Sequence, residues 1–311
     1  MAERASATTL ALGAAVVCGA LVAVQARING ELGEDLRDAL LAALVSFGSG
    51  LIAVLAVVLA RRPARAAWSR VKDVPWWTRL GGIGGASLVA VGAYAAPRIG
   101  VALLTVGLVA GQTTGGLLAD TVGLGPGGRH PLTGPRVVGA ALCLVAVLVG
   151  VLGKGAGSTN PLLLALVIAS GLLISVQQAL NGRVRRVTGD ASVATLVNFL
   201  IGTAALILAY LLFSSGQSAH WPGPDRWWLY TGGVLGATFV AVAAAIVRTL
   251  GVLRLGLATV AGQLIGAIGL DLVIPAAGHG VAAATVAGAV LTLVAVAVSG
   301  RPSRSAAAVP A

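Results

Sequence analysis

Charged residues are scarce in this chain: they make up only 10% of its 311 residues, whereas hydrophobic residues make up 57%. A soluble globular protein carries about 25% charged residues, so this chain has too little polar surface to cover itself in water. The mean hydropathy is +0.95. The composition excludes soluble enzymes, disordered proteins and disulfide scaffolds, and it predicts an integral membrane protein that contacts the lipid bilayer.

Cysteine and aromatic residues are scarce as well. The two cysteines, Cys18 and Cys143, both fall within apolar stretches, so neither a disulfide nor a metal site is predicted. Aromatic residues make up 4% of the chain, whereas glycine supplies 44 residues, and small residues let transmembrane helices approach closely. The apolar runs are long and unbroken, which favours helices over a β-barrel. We therefore expect an all-α fold.

The apolar runs predict ten transmembrane helices, because about 20 apolar residues cross a bilayer. Short or glycine- and proline-rich links separate the runs, so no soluble domain is expected between them. The predicted spans are 8–26, 39–60, 79–96, 99–120, 136–153, 161–180, 191–213, 229–247, 252–271 and 281–299.

The basic residues predict the orientation of the chain. With ten spans, 16 of the 21 Lys and Arg residues lie on the side of the N-terminus and 5 on the other side. Cytoplasmic loops carry the excess of Lys and Arg, so both termini are expected in the cytoplasm. The net charge is +11, but no polar domain could present a basic face, so no nucleic-acid partner is expected.

The chain contains an internal repeat. Residues 24–50 match residues 176–202 without a gap, with 11 identities in 27 positions, and further matches follow at slightly smaller offsets. The predicted domains are thus two five-helix repeats, residues 1–155 and 156–311. Because five is odd, the second repeat is expected upside down relative to the first. Inverted repeats of this kind recur in secondary transporters.

Charges around the first helix of each repeat support this inversion. The first loop carries Glu31, Glu34 and Asp35, whereas the aligned loop of the second repeat carries three arginines (Arg183, Arg185 and Arg186). An acidic loop outside and a basic loop inside agree with the expected sides of the membrane.

Two inverted five-helix halves resemble the drug/metabolite transporter superfamily. Within it, the pattern Gln25-x-x-x-Asn29-Gly30, followed by Ser46-Phe47-Gly48, resembles the YdcZ-type family of bacterial inner-membrane proteins, here in a fused form. The resemblance implies a small-molecule transporter of the bacterial cytoplasmic membrane. Small multidrug exporters of the superfamily use a glutamate in their first helix; residues 8–26 contain no acid, so that proton-exchange mechanism is not carried over.

Six amide side chains are the candidates for lining a substrate site. Each repeat carries two of them four residues apart near the end of its first helix, and one in the middle of its fourth helix. Amides at this depth need hydrogen-bonding partners. The alternative is structural: the pairs cap exposed helix carbonyls, with Gly30 or Gly182 as the C-cap, and the mid-helix glutamines bond between helices. The candidates are Gln25, Asn29, Gln112, Gln177, Asn181 and Gln263.

Two aligned acids, Asp120 and Asp271, are the candidates for binding a coupling ion, because acids within membrane helices are costly and usually functional. Each lies ~20 residues into its helix, about 30 Å along it and thus near the interface, where pairing with arginine is the alternative. Matched small-residue pairs predict close helix packing, with a hinge role as the alternative. They are Gly81 and Gly85, Gly111 and Gly115, Gly232 and Gly236, and Gly262 and Gly266.

The sequence has no Walker, HExxH or GxSxG motif, so we predict neither an enzyme nor a cofactor. The first hypothesis is a secondary transporter for a small organic molecule. The second is a non-transporting membrane scaffold or lipid-handling subunit. A fused pair of repeats needs no partner to complete its symmetry, so both a monomer and a homodimer are compatible with the sequence.

Overall fold

The computed structural model describes residues 2–126, 128–129, 133–152, 160–214, 219–273 and 283–299. All regular secondary structure in these residues is helical, which confirms the all-α prediction. The α-helices, in chain order, are α1 (Ala2–Asp35), α2 (Ala39–Ala60), α3 (Arg62–Trp68), α4 (Gly82–Ile99), α5 (Val101–Val122), α6 (Gly134–Leu152), α7 (Pro161–Thr188), α8 (Ala191–Phe213), α9 (Gly232–Val273) and α10 (Ala283–Ser299).

Six helical segments among the described residues are long and apolar enough to cross a bilayer. They correspond to six of the ten predicted spans. Three shorter apolar helical stretches, Val137–Val149, Ala258–Val273 and Val286–Ala295, lie within α6, α9 and α10. The structure thus supports a multi-pass membrane protein with six clear spans. The six are Ala7–Asp35, Ala39–Ala60, Trp76–Ile99, Val101–Val122, Pro161–Thr188 and Ala191–Phe213.

The predicted break between residues 247 and 252 is wrong, because α9 runs without interruption for 42 residues. In the first half, Pro97 lies near the end of α4, and Gly100 adopts a left-handed φ of 77° that separates α4 from α5. Proline lacks the N–H that continues a helix. The residue aligned with Pro97 is Arg248, which retains that N–H, so the helix continues.

The helices α1 and α7 both extend beyond their predicted ends at residues 26 and 180. Helix α1 continues to Asp35, and α7 ends only at Gly189, a C-cap with φ 78°. Gly30 and Gly182 therefore lie inside helices, and the proposed C-cap role for these two glycines is wrong. The amide pairs consequently project from helix interiors, where the backbone carbonyls already have partners.

Two aligned aspartates begin the second helix of each half. The carboxylate of Asp38 accepts hydrogen bonds from the N–H groups of Leu40 (2.9 Å) and Leu41 (3.1 Å) at the start of α2. Asp190 does the same at α8, from Ser192 (2.7 Å) and Val193 (3.4 Å). An aspartate N-cap satisfies N–H groups that otherwise lack partners, so these identities set where α2 and α8 begin.

The two halves of the chain pack against each other, and the first helix of each half packs on helices of the other half. Helix α1 packs on α9, whereas α7 packs on α4 and α5. Where α2 meets α8, the rings of Phe47 and Phe199 lie 4.9 Å apart. Each ring fits against a glycine of the opposite helix, Phe199 against Gly50 and Phe47 against Gly202. A larger residue at either glycine would overlap the ring.

Candidate functional site

A small cavity lies between α1, α4, α5 and α9. Its polar lining consists of Gln25, Asn29, Thr105 and Gln263, and the other lining residues are Val, Ala, Leu and Gly. None of the described residues that line it is ionisable. The space is narrow, with room for about one or two water molecules. Apolar walls with a few polar groups are typical of sites for small molecules.

Helix α1 supplies two of the lining amides. Gln25 and Asn29 lie four residues apart on one face of the helix, and both are buried. Two glycines of α9 lie opposite them: a Cβ atom on Gly236 would lie 2.6 Å from Gln25 Nε2, and one on Gly232 would overlap Asn29 Oδ1. The absence of side chains at these glycines lets the backbone of α9 approach the amides closely.

Two buried amide oxygens at the cavity lack a hydrogen-bond partner among the described residues. They are Asn29 Oδ1 and Gln263 Oε1, on side chains with only 1% and 5% of their residue surface exposed. Leaving a buried polar atom unpaired costs about 1–3 kcal/mol. Such atoms therefore mark positions where a bound solute or water would contribute a missing hydrogen bond.

The aligned amides of the second half have different surroundings. Asn181 Nδ2 donates a hydrogen bond to Asn198 Oδ1 at 3.0 Å, so this pair links α7 to α8. Gln177 is buried against Gly84 and Gly85 of α4, and its Oε1 has no partner among the described residues. The cavity thus brings together Gln25, Asn29 and Gln263, and the candidates Gln177 and Asn181 do not line it.

Gln112 does not line the cavity either. Its side chain is half-buried on α5, and its backbone carbonyl accepts a hydrogen bond of 2.6 Å from Ser175 Oγ of α7. Thr105 was not among the predicted site residues, but it is buried and lines the cavity. The signal that could have found it is its side chain, because Thr105 is the one hydroxyl residue in the apolar run 101–111.

Asp271 has a structural partner in the other half of the chain. Its carboxylate accepts hydrogen bonds from the backbone N–H groups of Val101 at 3.2 Å and Ala102 at 2.8 Å. These groups begin α5, whose own N-cap residue, Gly100, has no side chain to satisfy them. Asp271 therefore caps α5 from α9. The aligned acid, Asp120, is half-buried two residues before the end of α5.

The glycine pairs lie where helices of opposite halves approach closely. A Cβ atom on Gly111 would lie 2.9 Å from the carbonyl carbon of Ile168, and one on Gly262 would lie 2.7 Å from that of Val16. Gly111 aligns with Gly262, and Val16 aligns with Ile168, so the same contact occurs twice, once from each half. The other glycines of the four pairs face the opposite half in the same way, with Gly115 against Leu172, Gly266 against Ala20, Gly81 against Asn181, Gly85 against Gln177, Gly232 against Asn29 and Gly236 against Gln25.

Charged contacts join the halves at the C-terminal end of α1. Arg226, in the 3₁₀ segment before α9, pairs with Asp35 and lies 3.6 Å from Glu31 Oε2. Glu31 also pairs with Arg27 at 2.8 Å. At the C-terminal end of α7, Arg183 donates to the backbone carbonyls of Leu124 (2.7 Å) and Gly123 (2.8 Å). The arginine at the α1 junction therefore binds acids, whereas Arg183 at the α7 junction binds neutral carbonyls.

A resident metal ion has no evident place in the described part of the chain, which contains no group of three or more His, Cys, Asp or Glu side chains that could hold one. The polar chemistry available at the cavity is that of amides and a hydroxyl. Such groups bind and orient a solute through hydrogen bonds.

Known proteins resemble this chain in sequence and in fold. The family described as "Putative inner membrane exporter, YdcZ" matches residues 10–149 and 162–298. The "Inner membrane protein YdcZ" of Escherichia coli (strain K12) is 32% identical over 113 residues, which are 36% of this chain and 75% of that protein. A crystal structure named only "Crystal structure of protein" shares the fold, with a TM-score of 0.57, 21% identity and coverage of 95% and 96% of the two chains.

The family match covers most of the chain, and six described helical segments are long and apolar enough to span a bilayer. The resemblance noted from Gln25, Asn29 and Ser46–Gly48 is thereby confirmed. The chain belongs to the YdcZ family of multi-pass inner-membrane transporters.

Proposed function

We propose that this protein is a secondary transporter that moves a small organic metabolite or drug across the cytoplasmic membrane. It works by alternating access between two inverted repeats, residues 1–155 and 156–311, with both termini in the cytoplasm. In the second repeat, the unbroken helix α9 covers the predicted third and fourth spans. The cavity between α1, α4, α5 and α9 is the central site, where Gln25, Asn29 and Gln263 meet the solute.

The observation that carries this proposal is the exchange of equivalent contacts between the halves. Gly111 packs on the backbone at Ile168, and its aligned partner Gly262 packs on the backbone at Val16. Each half thus contacts the other through aligned positions. If the two halves were identical, the state in which they had swapped conformations would have the same energy. Such an exchange converts a cavity open to one side into a cavity open to the other.

The family match supports the division into two repeats, because it falls in two segments of similar length separated near residue 155. The charges support the inversion, since the aligned junctions at α1 and α7 carry acids in one half and arginines in the other.

Two different sets of contacts block access to the cavity, one on each side of the membrane. The ion pairs of Arg226 with Asp35 and Glu31 close the end near Asn29, and the bonds of Arg183 to loop carbonyls close the opposite end. Because the cavity holds only about one or two waters, one set of contacts must open before a metabolite can enter.

Asp120 and Asp271 are the proposed sites for a coupling ion. Capping α5 accounts for the burial of Asp271 without an ion, so coupling requires its own test. Charge movement is recorded on a solid-supported membrane that carries the reconstituted protein, challenged with metabolite pools with and without a pH gradient. The comparison is a variant with both Asp120→Asn and Asp271→Asn.

A saturable current in the wild type supports transport, and its loss in the folded double variant supports coupling through the acids. A current that survives supports transport and assigns the acids a purely structural role. Uptake of labelled metabolites into proteoliposomes is measured as well. If folded protein gives neither a current nor uptake, the scaffold hypothesis replaces the transporter hypothesis.

A further inference from the structure

Resting on the proposed function, we propose that the cavity takes a small uncharged solute that carries a hydroxyl or an amide N–H group. Asn29 and Gln263 recognise this group. Their aligned partners, Asn181 and Gln112, lie outside the cavity lining and do not bind the solute.

The exclusion of charged solutes follows from the lining. None of the described lining residues is ionisable. The nearest charges along α1, Arg27 and Glu31, pair with each other at 2.8 Å, and Glu31 also lies near Arg226. The carboxylate of Asp271 on α9 is engaged by the N–H groups of Val101 and Ala102. A charged solute in the cavity would therefore lose its hydration without gaining a free counter-ion, which is costly in an apolar environment.

The requirement for a hydrogen-bonding solute follows from the unpaired oxygens. Asn29 Oδ1 and Gln263 Oε1 are both buried and lack partners among the described residues. A carbonyl oxygen accepts from an O–H or N–H group, and rotation of the terminal amide exchanges this acceptor for a donor. A hydroxyl or carboxamide, which both donates and accepts, suits either orientation.

The asymmetry between the halves has a cause in the sequence. Asn181 Nδ2 donates a hydrogen bond of 3.0 Å to Asn198 Oδ1. In the first half, the residue aligned with Asn198 is Ser46. Ser46 Oγ is buried without a partner among the described residues, beside the same glycine, Gly232, that Asn29 contacts. The shorter serine thus offers Asn29 no side-chain amide as a partner, whereas Asn198 accepts a hydrogen bond from Asn181 in the second half.

The test measures tracer uptake into proteoliposomes for solutes that differ mainly in charge, with protein-free liposomes subtracted. The probes are mannitol against gluconate, and nicotinamide against nicotinate. We expect saturable uptake of at least one uncharged member and of neither charged member. Asn29→Leu and Gln263→Leu should lower this uptake at least tenfold, whereas the matched variants Asn181→Leu and Gln112→Leu should retain it within about threefold per folded protein.

A second measurement separates binding from folding. Thermal unfolding in detergent should show an unchanged or raised Tm for Asn29→Leu, because the substitution removes an unpaired polar atom. Asn181→Leu should lower the Tm, because it leaves Asn198 without its partner. Equal losses of Tm in the two variants would overturn the assignment of different roles.

The outcomes separate this inference from the proposed function. Uptake of gluconate or nicotinate without the uncharged partner overturns the substrate class and leaves transport standing. Equal loss of uptake in Asn29→Leu and Asn181→Leu overturns the one-sided recognition. If folded wild-type protein takes up no probe and gives no current with metabolite pools, both the inference and the transport function fail.

Discussion

The carboxylate of Asp271, near the end of α9, accepts a hydrogen bond of 2.8 Å from the backbone N–H of Ala102, in the first turn of α5. These residues are 169 positions apart. An acid that looks like an isolated intramembrane charge in the sequence is therefore a helix cap supplied across the two halves. The bond also shows how α9 holds the start of a helix that has only Gly100 before it.

Replacing this cap should destabilise the protein. Asp271→Asn retains one acceptor oxygen for two N–H groups and removes the charge that favours a helix N-terminus. We expect a loss of about 1–2 kcal/mol in the free energy of unfolding, measured by chemical unfolding in detergent micelles. The matched control is Asp73→Asn, because Asp73 is exposed on a short 3₁₀ segment. Equal stability of the two variants would contradict the capping role.

Close packing at Gly262 should make this position intolerant of a methyl group. A Cβ atom there would lie 2.7 Å from the carbonyl carbon of Val16, and backbone cannot move aside as a side chain can. We expect Gly262→Ala to cost about 1–3 kcal/mol of stability. Gly269→Ala on the same helix is the control, since nothing lies within 4 Å of its Cβ position. The control should be neutral or slightly stabilising, by up to about 1 kcal/mol.

The inverted arrangement predicts opposite accessibility for two aligned, exposed residues, Glu34 and Arg186. In a background without Cys18 and Cys143, Glu34→Cys should react with a membrane-impermeant maleimide added to intact cells. Arg186→Cys should react only after the cells are permeabilised. Labelling of both variants from the same side would disprove the inversion of the second repeat.

The contact between Arg226 and Asp35 should contribute modestly to stability and should weaken with salt. A double-mutant cycle of Arg226→Ala and Asp35→Ala measures their coupling, because the cycle cancels the separate effects of each substitution. The arginine side chain is 36% exposed, so we expect a coupling of about 0.5–1 kcal/mol at low salt. In 1 M salt it should fall to near zero; a coupling that is independent of salt would indicate a contact that is not electrostatic.

Much of the fold followed from local properties of the chain. The length of the apolar runs set six of the spans, because the thickness of a bilayer fixes how many residues a helix needs. The starts of α2 and α8 are local as well, because Asp38 and Asp190 cap N–H groups two and three residues along the chain. The family was also recognisable from the sequence, through the positions of Gln25, Asn29 and Ser46.

Three-dimensional contacts decided which of the repeated residues share a site. Gln263 meets Gln25 and Asn29 because α9 packs on α1, and no spacing along the chain reports that distance. The different surroundings of Asn29 and Asn181 depend on whether a serine or an asparagine lies opposite them on the next helix. Asp271 could not be recognised as a cap because its partners belong to another helix. Composition and periodicity describe each helix alone, whereas a site is made where helices meet.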